Sequence, residues 1–117
     1  MIRAYGATAG GAAAGKWAFY DGVRNDEATP LTSRFVSSTM AVVPGVTYSF
    51  TITTNPQAGT WSVAISSDDA QADVSVSGLG FRSSAATAGG LLNFVTRLDA
   101  VSDFRRLSLD SVGISAT

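Results

Sequence analysis

Nine carboxylates are the side chains of this chain best suited to chemistry, and their spacing decides what they could do. Glycoside hydrolysis needs two acids flanking the scissile bond, roughly 5–9 Å apart. The chain has a single glutamate, Glu27, beside Asp26 in a polar stretch, and no pair of acids alternates along a strand-like segment. Asp68 and Asp69 are adjacent and would point apart in an extended chain. An enzyme is therefore not expected. Calcium is the other option for carboxylates, since it collects several carboxylate and carbonyl oxygens. Asp68, Asp69 and Asp73, or Asp21 with Asp110, could supply some of them. Aspartates in loops more often form turns or sit solvated, and that is the first reading of each.

The absences are as informative. With no cysteine and no histidine, thiol nucleophiles, disulfides, Cys/His zinc sites and Ser-His-Asp triads are all removed. Charged residues make up 15% of the chain and the net charge is −1. Apart from Arg105-Arg106 the basic residues are scattered, so the basic patch that nucleic-acid binding needs is missing. No apolar run approaches the roughly 18 residues that span a bilayer, and Met1-Ile2-Arg3 is not followed by the long apolar core of a signal peptide.

Aromatic side chains are the remaining candidates, because an exposed flat ring can stack on a sugar. Trp17, Tyr20 and Trp61 qualify by type. Trp17 and Phe19 share one side of a strand-like segment, so Tyr20 points the other way and is the one expected to be exposed, with Asp21 beside it. For both tryptophans a place in the core is the stronger expectation. Arg82, next to Phe81, reads first as a solvated edge charge and second as a ligand contact.

The elements that must position these groups read as strands. In 46–65, Tyr48, Phe50 and Ile52 alternate with Ser and Thr, the turn Asn55-Pro56-Gln57-Ala58-Gly59 intervenes, and Trp61, Val63 and Ile65 resume the alternation. Around this hairpin fall a short strand near 2–5, a strand at 16–20 closed by Asp21-Gly22, and one at 35–43 with Val36, Met40 and Val42 on one side and Ser38 among them. Pro44-Gly45 turns the chain into the hairpin. A strand at 73–77 meets glycines at 78 and 80 that suggest a bulge. Further strands are expected at 91–98 and 104–115. In the last, Leu107 and Leu109 are odd while Val112 and Ile114 are even, which calls for a bulge near Asp110. The Ala/Gly stretch 9–15 carries three glycines, each costing a helix about 1 kcal/mol, so 1–14 reads as a short edge strand followed by a loop, or as a flexible start.

Seven or eight strands in one domain over 1–117 make an all-β fold, a sandwich or a barrel. The order Trp17-Ala18-Phe19-Tyr20-Asp21-Gly22, Gly59-Thr60-Trp61-Ser62-Val63, Phe81-Arg82 and Asp110-Ser111-Val112-Gly113-Ile114 resembles concanavalin A-like (laminin-G-like) jelly-roll domains of bacterial surface and secreted proteins. The resemblance covers roughly 15–115, and this chain is short for that family. It implies an antiparallel β-sandwich of jelly-roll-like form, an extracellular or cell-surface location, and a non-catalytic carbohydrate-binding or adhesive module. A glycan would meet Tyr20, Trp17, Asp21 and Arg82, and lectin-like relatives suggest a structural calcium on Asp68, Asp69 and Asp73. The glucanases of this fold carry a Glu-x-Asp-x-x-Glu or Glu-x-Asp-x-Glu strand motif, which is missing here, and the lyases use a histidine that this chain lacks. The second expectation is a structural or assembly subunit of a surface array, capsid or filament. A shortened sheet leaves edges that pair with other copies, and a surface rich in Ala, Gly, Ser and Thr suits close packing.

Overall fold

Alternating sequences need a partner edge and a covered face before they become strands. In the computed structural model, which describes residues 1–5, 14–22, 34–81 and 108–115, six segments meet that condition. They are β1 (Ile2–Ala4), β2 (Lys16–Tyr20), β3 (Phe35–Ala41), β4 (Tyr48–Asn55), β5 (Thr60–Ser67) and β6 (Val74–Gly80). They form two antiparallel three-stranded sheets, ordered β1-β2-β3 and β4-β5-β6. Among the described residues there is almost no helix, and no helix long and apolar enough to cross a membrane. The expected strand at 91–98, Glu27 and Arg82 lie outside the described residues.

The punctuation works as its chemistry dictates. Pro44 and Gly45 occupy the middle of a turn closed by the Val46 N–H on the Val43 carbonyl at 3.3 Å, and Gly45 takes φ 81°. Proline followed by a glycine at positive φ is the requirement of a type II turn. In the β4–β5 turn the Asn55 Oδ1 accepts the Ala58 N–H at 3.2 Å. The bulge expected from the β6 glycines is present. Pairing steps from Trp61↔Leu79 to Val63↔Val76, and Gly78 sits at φ 71° within that step. A second irregularity, between Lys16↔Ala41 and Ala18↔Ser37, falls where the buried Ser38 lies. There the Ser38 Oγ accepts the Met40 N–H at 3.2 Å, replacing a ladder bond that the irregularity removes.

One face of each sheet meets the other. Phe19 from β2, Met40 from β3, Trp61, Val63 and Ile65 from β5 and Leu79 from β6 form the buried cluster, with Ile2, Trp17, Val36 and Tyr48 packed around it. Burying each of the larger of these side chains contributes roughly 1.5–3 kcal/mol. The other face of the first sheet is also covered: Ala18, Tyr20 and Phe35 form a second buried cluster, with Tyr5 against it. Tyr20 meets Phe35 edge to face at 5.5 Å, and the Arg3 guanidinium lies 4.4 Å from the centre of the Phe35 ring.

Three expectations are corrected. Tyr20, expected on the exposed side of β2, is 2% exposed. The parity was right, but both faces of β2 are buried. The hairpin is central only through β5, because β4 is an edge strand, exposed from Ser49 to Asn55. The expected final strand is not formed over 108–115, where the residues belong to no ladder and are exposed throughout. Its strand propensity has no partner among the described residues, and propensity alone does not hold a strand in water.

Candidate functional site

The candidate site follows from how each sheet edge is finished, since an unfinished edge is a row of unpaired N–H and C=O groups. On the first sheet, β1 is only three residues long. At the end of β3, the Gln71 side chain behaves like a neighbouring strand. Its Oε1 accepts the Ala41 N–H at 2.7 Å and its Nε2 donates to the Ala41 carbonyl at 3.2 Å. The Tyr48 hydroxyl donates to the same carbonyl at 2.7 Å and accepts the Val43 N–H at 2.8 Å. On the second sheet, β6 is bulged at Gly78 and its last peptide is held from two directions. The Gly80 N–H donates to Asp21 Oδ1 at 2.9 Å, and the Trp61 Nε1–H donates to the Gly80 carbonyl at 3.2 Å.

β4 has none of these devices. Its eight residues pair with β5 one for one, from Tyr48↔Ser67 to Asn55↔Thr60, without a register shift. Among the described residues no strand pairs with its other edge. Residues opposite each other share a face, so Phe50↔Ile65 and Ile52↔Val63 place Phe50 and Ile52 on the core side. They are nevertheless 36% and 49% exposed. The inner face of the second sheet therefore runs out past the core and ends in two uncovered apolar side chains. Trp17 covers only the near end, meeting Tyr48 at 5.2 Å and Phe50 at 4.9 Å, both edge to face.

The sugar-stacking candidates are not brought together on a surface. Trp61 is in the core, as expected, and Tyr20 is buried in the second cluster. Trp17 is half-buried with its ring engaged by Tyr48 and Phe50. The Trp17 Nε1–H and the Tyr20 hydroxyl are both buried without a hydrogen-bond partner among the described residues. Asp21 is a clamp between the sheets through Gly80. Its neighbour Gly22 approaches so closely that a Cβ there would lie 1.8 Å from the Phe81 carbonyl oxygen. Read along the chain, Asp-Gly signals a turn. Its contact with residues 80–81 spans the fold, so no local signal marks it.

The carboxylates of the β5–β6 loop are likewise dispersed. Asp68 Oδ1 accepts the Thr47 N–H at 3.1 Å. Asp69 accepts from Ser67 Oγ at 2.5 Å and the Gln71 N–H at 3.2 Å on Oδ1, and from Gln71 Nε2 at 3.0 Å on Oδ2. The Ser67 hydroxyl does most to hold the Asp69 carboxyl below its ordinary range; desolvation opposes it, and the Gln71 side-chain and backbone bonds add to it. Asp73 borders a shallow depression of about 350 Å³ on the outer face of the second sheet, with Ser49, Thr51, Ser66 and Ser75. Among the described residues no three metal-ligating side chains come together. Asp68 and Asp69 hold the loop through these bonds, and Asp73 borders the depression. Gln71 and Tyr48, which tie the two sheets together at Ala41, carried no motif. Only the fold reveals them.

Comparison with protein-family models, curated proteins and solved structures finds no match for this chain.

Proposed function

We propose that this chain is a non-catalytic assembly module that pairs with other copies of itself through the edge of β4. The observation that carries the proposal is the eight-residue edge of β4, unpaired among the described residues, with Phe50 and Ile52 exposed beside it. Such an edge is a template for an added strand. The outer face of the same sheet supports close approach of copies, because Ser49, Thr51, Ala64, Ser66 and Ser75 leave it nearly flat and uncharged apart from Asp73. The architecture belongs to the same proposal: a jelly-roll-like sandwich of the concanavalin A-like kind, completed to seven or more strands and displayed outside the cell.

Glycan binding is the competing class. The Ser and Thr hydroxyls around Asp73 favour it, and the burial or engagement of Trp17, Tyr20 and Trp61 weighs against it. Light scattering over a range of protein concentrations separates the two. Edge pairing gives a mass that rises with concentration and stays at the monomer in Ile52→Lys, since an inward-facing charge on an edge strand blocks pairing. A wild-type mass fixed at the monomer, together with specific glycan retention, would replace assembly with sugar binding.

A further inference from the structure

Among the described residues the β4 edge is one of two elements without a pairing partner. The other is 108–115, Ser-Leu-Asp-Ser-Val-Gly-Ile-Ser, in which every residue is exposed. Leu109, Val112 and Ile114 are 52%, 54% and 88% exposed. Three large apolar side chains on one short unpaired segment are unusual for a surface in its final state. From 111 onward the segment has strand alternation: Val112 and Ile114 fall on one side, and Ser111, Gly113 and Ser115 on the other, while Leu109 has the opposite parity and shares the apolar side only across a bulge at Asp110. β4 shows the same two sides, with Phe50 and Ile52 on the core side and Ser49, Thr51 and Thr53 on the outer side.

We infer that residues 108–115 of one copy add as a fourth strand to the β4 edge of a second copy. This inference rests on the edge-assembly proposal and supplies its occupant. Pairing sets Val112 and Ile114 beside Phe50 and Ile52 on the inner face, where they extend the apolar surface that the first sheet leaves uncovered. Ser111, Gly113 and Ser115 then join the flat Ser/Thr outer face. A register slipped by one residue would put Val112 and Ile114 among hydroxyls and the serines over Phe50, so the alternation selects its own register. The other edges do not compete. Gln71 occupies β3 at Ala41, β6 is bulged, and β1 is three residues long. Because the donor and acceptor are different surfaces of one chain, the contact is head to tail. It propagates into an open chain of copies unless the rotation closes a ring.

The absence of cysteine makes the contact directly testable by cross-linking. Ile52→Cys and either Val112→Cys or Ile114→Cys place single thiols at exposed positions that leave the core intact. Each variant is compared with the wild type by circular dichroism and melting to establish that it is folded. Mixed in equal amounts and oxidised, an Ile52→Cys copy and a segment-cysteine copy are expected to yield the mixed disulfide as the main cross-linked product. The double variant, Ile52→Cys with Val112→Cys, is expected to give a ladder of covalent oligomers on non-reducing gels. Three results would overturn the inference while leaving edge assembly standing or falling separately. Efficient self-cross-linking of Ile52→Cys alone means that β4 pairs with β4, so assembly survives and the donor segment does not. A double variant that closes only within single chains means that the segment covers its own edge, and both proposals fall. No cross-linking in any mixture, with a wild-type mass that still rises with concentration, places assembly on another surface.

Discussion

At its β6 edge the second sheet ends in a bulged strand whose last peptide is held by Asp21 from one side and Trp61 from the other. At its β4 edge the same sheet ends in eight residues in unbroken register, with two apolar side chains uncovered. Both strands carry alternating apolar residues, so the difference is not one of propensity. It lies in long-range contacts: the β6 side packs against β2 and β3, whereas among the described residues the β4 side is tied to the first sheet at its Tyr48 end, by the Trp17 ring and by the Tyr48 bonds to Ala41 and Val43. Among the described residues one edge is finished and the other is not. Under the proposed assembly, stability and association belong to opposite edges of one sheet, and substitutions should separate them.

The largest effect belongs to the closed side. Trp61→Ala removes a core ring and leaves the Gly80 carbonyl without its indole donor. It is expected to cost about 3–5 kcal/mol in denaturant titrations. Gly22→Ala comes next. Its new Cβ would collide with the Phe81 carbonyl, which is backbone and cannot swing aside. A loss of about 1–3 kcal/mol is expected from the forced displacement. An unchanged denaturation midpoint would mean that residues 21–22 and 80–81 do not meet, and the contrast between the edges would fail.

Tyr20→Phe probes the first sheet. It removes a buried hydroxyl that has no partner among the described residues while keeping the ring against Phe35. Stability should stay level or rise by up to about 1 kcal/mol. A loss of similar size would reveal a partner for the hydroxyl. On the open side, Ile52→Lys should change monomer stability by no more than about 0.5 kcal/mol, as expected for an exposed position, while abolishing the rise of mass with concentration. A large destabilisation instead would show that β4 belongs to the finished core.

Much of this contrast was legible along the chain, but not the part that distinguishes the edges. β2 and the hairpin could be read from alternation and from Asn55-Pro56 and Gly59, because side-chain parity and turn chemistry are local. The β6 bulge could be read from its glycines. Parity says which residues share a face; it does not say whether that face is covered. Tyr20 and Phe50 show the failure in opposite directions: Tyr20 was expected in solvent and is buried, while Phe50 lies on the apolar side of the hairpin's alternation and is exposed. The Asp21–Gly80 clamp and the Gln71–Ala41 latch join residues 59 and 30 positions apart, beyond any periodic signal. The segment 108–115 was read as a strand because its composition is that of one. Strand formation also needs an edge to pair with, and one chain's composition does not reveal whether that edge lies in the same copy.

The smallest expected effect concerns the β3 edge, where closure depends on a side chain rather than on packing. Asp69 holds Gln71 through both the backbone and the amide, and Gln71 in turn fills the edge at Ala41. The Ser67 hydroxyl and the Gln71 bonds favour the charged carboxylate, so its folded pKa lies below the ordinary aspartate value of 3.8. A depressed folded pKa contributes stability that is present above the unfolded value and is lost as pH falls through the folded one. The melting temperature of the wild type should therefore carry a component that disappears as pH falls below 3.8, and Asp69→Asn should lack it. The melting temperatures of the two proteins should converge in acid. The carboxylate is exposed and solvent-screened, so the gap at neutral pH should be small. If Asp69→Asn instead reproduces the full acid dependence of the wild type, the latch contributes nothing. The β3 edge would then not depend on Gln71 for its closure.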